Sequence, residues 1–423
     1  MSHIQFPYRR ESTRRQHSSP DNGDFVTGSS HNDSMTSEPA AQAAEAAGPA
    51  GTTTGPAPSP ALLEALAGRR PARTPVWFMR QAGRSLPEYR ALRARAGVPM
   101  LDACLDPALA AEVTLQPVRR HGVDAAVFFS DIMVPLRLAG VGVRIEEGVG
   151  PVLDAPVRSG REVGELVARR FGDGPDAEGV GAIEEAVRRV VVELGSPQAP
   201  GVREGLSERA RAGLEHSAGS AGWTPVLAFG GAPFTLAAYL VEGRPSRDHL
   251  AARTLMRADP DSWAGSLSPR AYRERVAPYS ALALDVARQA VSPTTGKAAP
   301  LIHFGTGTAR LLGLMRQAGA DAVGVDERIE LGEAIEALAE ADPQAGTCPV
   351  QGNLDPALLA APWPILAEEL DAVLAAGRAA PGHVVNLGHG VPPATDADVL
   401  TRIVARVHGS ADWESVALAG WEA

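Results

Sequence analysis

The chain is 423 residues long with a formal charge of −10, a balance that lacks the basic face nucleic-acid binding needs. Its two cysteines, Cys104 and Cys348, stand far apart and form no CxxC, so they give neither a disulfide framework nor a zinc site and fit a reducing cytosol. Arg, Asp or Glu interrupts every apolar run before it reaches membrane-spanning length.

Residues 1 to 58 are poor in aliphatic side chains and dense in Ser, Thr, Pro, Gly and Ala. Such a segment cannot bury enough apolar area to offset its ordering entropy, which predicts a disordered tail. Arg9, Arg10, Arg14 and Arg15 raise a targeting peptide, but Glu11, Asp21 and Asp24 and the missing apolar segment count against one. Translation from Met35 or later is an equally open reading. From 59 to 423 the pattern becomes a single domain of alternating helical and short apolar segments. Pro60 to Ala67 reads as a helix, and Val76 to Met79 as the first strand. Asp106 to His121 has helical spacing, with Asp106 as N-cap and Pro107 at the first helical position. Ala125 to Phe129 is a second strand, followed by helical patterns at Glu162 to Arg170 and Ala182 to Leu194. The Gly-, Ser- and charge-rich stretch from 195 to 222 reads as a surface insertion with one helical piece near Glu208 to Glu215. Later strands are expected at Val226 to Phe229, Leu301 to Phe304, Ala322 to Val325, Cys348 to Gly352 and His383 to Leu387.

Strand-helix alternation of this kind implies a parallel sheet, either doubly wound or closed as an eight-fold barrel. Seven strands of nearly uniform length, each ending in Gly and polar residues, favour the barrel. Their ends include Arg80-Gln81, Ser130-Asp131, Gly230-Gly231, Asp326, Gly352-Asn353 and Gly388-His389-Gly390, which a barrel gathers on one rim. Arg80 and Arg84 flank the turn after the first strand. Two planar guanidinium forks so placed suit a substrate carrying several carboxylates; the plainer reading is a solvated turn. Lys297 is the only lysine, so Arg serves as the general cation here and no single Arg carries much weight. Taken alone, Asp131 reads equally as an N-cap or strand-end carboxylate, and Tyr239 as core. His303 reads as structural. His389 lies between two glycines, where backbone can approach a ligand. Gly305-Thr306-Gly307 is too short to specify a phosphate loop.

The run Met79-Arg80-Gln81-Ala82-Gly83-Arg84-Ser85-Leu86-Pro87-Glu88-Tyr89 closely resembles the first signature of the uroporphyrinogen decarboxylase family. Gly230 to Gly243 resembles its second. Phe128 to Ile132, His303-Phe304-Gly305, Gln351 to Pro356 and Asn386 to Gly390 are similar to further blocks of that family, in order, over about residues 60 to 415. The resemblance implies a single (β/α)8 TIM-type barrel, typically a cytoplasmic homodimer, acting in porphyrin and heme biosynthesis. It implies removal of carbon dioxide from the four acetates of uroporphyrinogen III to give coproporphyrinogen III, with no cofactor and no metal. By the same resemblance Arg80 and Asp131 are catalytic, and Arg80, Gln81, Ala82, Gly83, Arg84, Asp131, Tyr239, Ser262 and His389 bind substrate. Asp131 is expected under the macrocycle, accepting from pyrrole N–H groups.

Two departures qualify the expectation. The related cobalamin-linked methyltransferases hold zinc through a His-x-Cys pair, whereas this chain has His303-Phe304-Gly305, which disfavours zinc-activated thiol chemistry. Roughly thirty residues of helix and strand that normally precede the Asp-Ser-Trp-Ala-Gly block are missing, since Asp259-Pro260 runs straight into Asp261. A missing or distorted βα unit near residues 258–262 is therefore expected. It makes an inactive or non-enzymatic paralogue the alternative reading.

Overall fold

The apolar runs between the helices become short parallel strands, because their side chains can be buried on both faces only in a sheet covered by helices. A computed structural model of the chain describes residues 58–170, 175–195, 205–258, 267–344 and 346–418. The predicted tail, apart from Pro58, and the Asp259 to Gly265 block that contains Ser262 lie outside the described residues. In chain order the strands are β1 (Ala126–Val127), β2 (Val143–Glu146), β3 (Gly150–Leu153), β4 (Val226–Leu227), β5 (Ile302–Phe304), β6 (Ala322–Gly324), β7 (Val350–Gln351) and β8 (His383–Val384). β2 and β3 form an antiparallel hairpin, which the sequence reading missed. The others form a parallel ribbon. β4 pairs with β1, and Asp124 N donates to Val76 O beside it. Val76 bridges to Val385 just past β8, and β8, β7, β6 and β5 follow in register.

That order gives seven strand positions with two free edges, β4 and β5. Among the described residues no strand joins them, and the interval holds the helices Pro233–Glu242, Leu250–Ala258, Pro269–Arg275 and Ala277–Arg288. The residues just before Asp259 are helical rather than extended, as the missing unit predicts. The predicted helix Pro269 to Ala290 breaks at Val276, whose φ of −125° precedes Pro278 near the start of the next helix. Burial follows the same line. Strands β1, β6, β7 and β8 are buried throughout, whereas every residue of β4 and β5 is partly exposed. Helix Ala277–Arg288 buries only Ser280, leaving Leu282 62% and Val286 60% exposed.

The closed side is packed as a barrel wall should be. Helix Pro107–His121 starts on the Asp106 carboxylate, which accepts from Ala108 N and Leu109 N at 2.9 Å, and ends on Gly122 at φ 67°. Helix Glu208–Ala218 is no loose insertion. Leu214 is fully buried in the main core, and a Cβ on Gly213 would run into the Arg119 carbonyl. Below the strands, at their N-terminal end, His216 Nε2 meets His408 Nδ1 and His408 Nε2 meets Asp124 Oδ2, both at 2.8 Å. Arg73 closes this chain on Asp124 Oδ1 at 2.7 Å. Among the described residues no helix is long and apolar enough to cross a membrane.

Candidate active site

The site is built on the break after Val76. Arg80 has φ 63°, a left-handed conformation uncommon for a side chain of its size. Gln81 locks that turn. It is 0% exposed, its Oε1 accepts from Phe78 N at 3.0 Å, and its Nε2 donates to Ala125 O at 2.9 Å. Gln81 is thus engaged with backbone rather than free for a ligand. Next door, Met79 N donates to Asn386 Oδ1 at 3.0 Å and Val391 N to Met79 O at 2.8 Å. These bonds fasten the Arg80 turn to the loop after β8. The Arg80 side chain lies over Gly390, where a Cβ would fall 2.5 Å from Arg80 Cδ.

Three of the expected residues meet around that guanidinium. Asp131, past the end of β1, is mostly buried, and Met133 N donates to its Oδ1 at 2.8 Å. Burial pushes its carboxyl pKa up, and the Met133 N–H and the Arg80 charge only partly offset this. A carboxylate in that state favours the arrival of a positive or N–H-bearing partner. Tyr239, on helix Pro233–Glu242, is kept protonated by burial and by the nearby Asp131 charge, with Arg80 acting the other way. His389 stands exposed after β8. Its pKa is pushed down by partial burial and then by Arg80, while Glu327 and Asp326 act to raise it and Arg328 to lower it. Arg80 is therefore the shared neighbour of Asp131, Tyr239 and His389.

The remaining expected residues are not drawn into this group. Ala82 packs on the neighbouring core, Gly83 sits against the Arg80 carbonyl, and Arg84 is exposed. His303 Nδ1 lies 3.4 Å from Met315 O in the helix layer behind β5, which fits its structural reading. Cys104 is buried, its thiol pushed up to about 12 by burial first and the Asp131 charge second, so it stays protonated and inert. Sequence reasoning missed Glu327, one residue beyond the flagged Asp326. A strand-end acidic pair was the only available signal, and it does not say which carboxylate faces the mouth.

The sequence profile described as uroporphyrinogen decarboxylase (URO-D) matches residues 57–200, 215–263 and 259–410. The chain belongs to the uroporphyrinogen decarboxylase family. It is 50% identical to the uroporphyrinogen decarboxylase of Arthrobacter sp. (strain FB24) over 379 residues, covering 82% of this chain and 96% of that one. The corresponding protein of Leifsonia xyli subsp. xyli (strain CTCB07) is 47% identical over 389 residues, covering 82% and 94%. A solved methyltransferase from Methanosarcina mazei superposes with a TM-score of 0.53 at 16% identity, covering 82% of this chain and 96% of that one, a likeness of fold alone. The family match breaks where the seam was expected, its last two segments meeting at residues 259–263. The Arthrobacter alignment spans 379 residues but uses 82% of a 423-residue chain, so the relative carries residues that have no counterpart here.

Proposed function

We propose that this chain removes carbon dioxide from the four acetate side chains of uroporphyrinogen III, giving coproporphyrinogen III, with no metal or organic cofactor. The observation that carries the reading is the convergence of Arg80, Asp131, Tyr239 and His389 at one mouth of a chain belonging to this family. Each acetate leaves as carbon dioxide once its pyrrole ring is protonated on carbon, because the ring then accepts the electron pair of the broken C–C bond. A second proton converts the exocyclic methylene to methyl, and loss of the first proton from the ring carbon restores the pyrrole, so each acetate takes up one proton net. Asp131, shielded from water, favours the cationic ring and accepts from pyrrole N–H groups, a field worth most where solvent is excluded. By resemblance Arg80 and Arg84 hold substrate carboxylates, Arg84 from its exposed position outside the Arg80 group, and Arg80 also serves in proton delivery. Tyr239 and His389 present further polar contacts, and Ser262 belongs to the same substrate set by resemblance. Gln81, Ala82 and Gly83 contribute by shaping the Arg80 turn.

The family likeness also supports a cytoplasmic homodimer with facing clefts, which light scattering of the purified protein tests directly. The catalytic reading is tested by anaerobic assay with uroporphyrinogen, following coproporphyrinogen. Turnover by purified protein supports it. Folded protein without turnover rejects it and returns the non-enzymatic reading that the open seam motivates.

A further inference from the structure

The two glycines flanking His389 are each occupied from outside. A Cβ on Gly390 would fall 2.5 Å from Arg80 Cδ, and a Cβ on Gly388 would fall 2.6 Å from Glu327 Oε2. The loop Gly388-His389-Gly390 thus threads between a guanidinium and a carboxylate, and small residues are needed on both sides of the imidazole. Glu327 is not consumed by a structural bond. Its Oε2 is buried with no hydrogen-bond partner, and its other oxygen lies a loose 3.6 Å from Arg328 Nη2. A buried carboxylate oxygen without a donor is costly and is retained where something else requires it. Arg328 is instead drawn toward Asp326 Oδ2 at 3.0 Å, an oxygen that also accepts from Gly307 N.

We propose that Glu327 is a positioning residue for the decarboxylation, seated against Gly388 so that its charge opposes that of Arg80 across His389 and sets the proton affinity of the imidazole that meets a substrate carboxylate. The role rests on the decarboxylase reading. His389 Nδ1 accepts from Gly390 N at 2.6 Å, so the ring proton sits on Nε2 as a donor. The charged groups around the ring are Arg80 and Arg328 on one side of the balance and Glu327 and Asp326 on the other. Gly307 N and Arg328 both engage Asp326 Oδ2, and Asp326 Oδ1, like Glu327 Oε2, is buried without a hydrogen-bond partner; of the two anions it is Glu327 that is seated against Gly388, next to the imidazole. Without it, Arg80 drives His389 further toward the neutral form.

The test is an NMR titration of the His389 imidazole in wild type, Glu327→Gln and Glu327→Asp, with thermal melting as a check on folding. Loss of the charge in Glu327→Gln should lower the His389 pKa by roughly 0.5 to 1 unit, less than a buried partner would because the ring is exposed. Glu327→Asp should recover part of that shift, and the acidic limb of the kcat/KM profile should move with it. An unmoved His389 pKa in folded Glu327→Gln, with wild-type turnover intact, overturns the Glu327 role alone. A moved pKa with no wild-type turnover overturns the decarboxylase reading and leaves the Arg80–His389–Glu327 coupling standing.

Discussion

At Arg80 the backbone does something a guanidinium-bearing residue rarely does. Holding a non-glycine residue in the left-handed region costs about 1 to 2 kcal/mol, and Gln81 bears that strain through its two backbone bonds. Strain concentrated at a residue whose charge acts on Asp131, Tyr239 and His389 is the pattern expected when position matters more than stability. Arg80→Gly should therefore melt no lower than wild type while losing at least about 100-fold in kcat/KM, as loss of one oriented charge typically costs. A large fall in melting temperature together with near-normal turnover would contradict this. Asp131→Asn keeps the shape and the Met133 contact but removes the charge favouring a cationic ring. It should cost kcat on the order of 100- to 1,000-fold with little change in stability, read by anaerobic initial rates. The first signature made Arg80 legible in the sequence, whereas the role of its neighbour was not. Gln81 belongs to the same motif, and only the fold reveals that its amide is spent on Phe78 and Ala125.

Among the elements, the helices were read well because their caps are local chemistry. Asp106, Pro107 and Gly122 delimit a helix in the sequence as they do in the fold. The helix Glu208–Ala218 was harder, since its packing depends on Gly213 meeting Arg119 and on His216 meeting His408, partners nearly two hundred residues away in the latter case. Those distant contacts give the base of the barrel a defined pH response. His121 is wholly buried, and burial first and Arg120 second push its pKa down to about 3; His216 is pushed to about 3 by burial and then His408. Unfolded, both bind a proton near pH 6.5. Between pH 6.5 and 3 the unfolded chain therefore holds more protons, and stability falls as the pH drops through that window. His121 alone should cost about 1.4 kcal/mol for each pH unit below 6.5. Asp124 behaves differently. Burial raises its pKa, but His408, Arg73 and the Val76 N–H together hold it below the usual value, so its contribution is lost only below about pH 4. Melting temperature should thus drop between pH 7 and 5, and His121→Asn, which can keep the Thr401 contact, should flatten that drop. A pH-independent melt across this range would refute the assignment.

At the scale of the whole molecule, the parallel architecture was legible because seven strand runs alternate with helices, and so was its defect, because Asp259-Pro260 left no residues for an eighth. What the sequence could not display was how the remaining elements would accommodate the loss. Among the described residues they do not close over it: β4 and β5 stay unpaired with each other, and the helix Ala277–Arg288 turns Tyr279, Leu282 and Val286 outward at helical spacing. In an intact βα unit that stripe would lie against a strand and its burial would contribute roughly 1.5 to 3 kcal/mol per large side chain. Here it contributes little, so its replacement should be correspondingly cheap. Leu282→Lys and Val286→Lys are expected to change stability by no more than about 0.5 kcal/mol, as surface substitutions do. Leu214→Lys, in the closed wall, should prevent folding. Amide hydrogen exchange gives the same contrast without mutation. The seam, from β4 through Ala277–Arg288 to β5, has few buried apolar contacts and should open at lower free energy than β7 and β8. If Leu282→Lys instead destabilised the monomer as much as a core substitution, the helix would have to be packed in solution and the barrel closed there. If it left the fold intact but split a dimer, the exposed stripe would be where two copies meet.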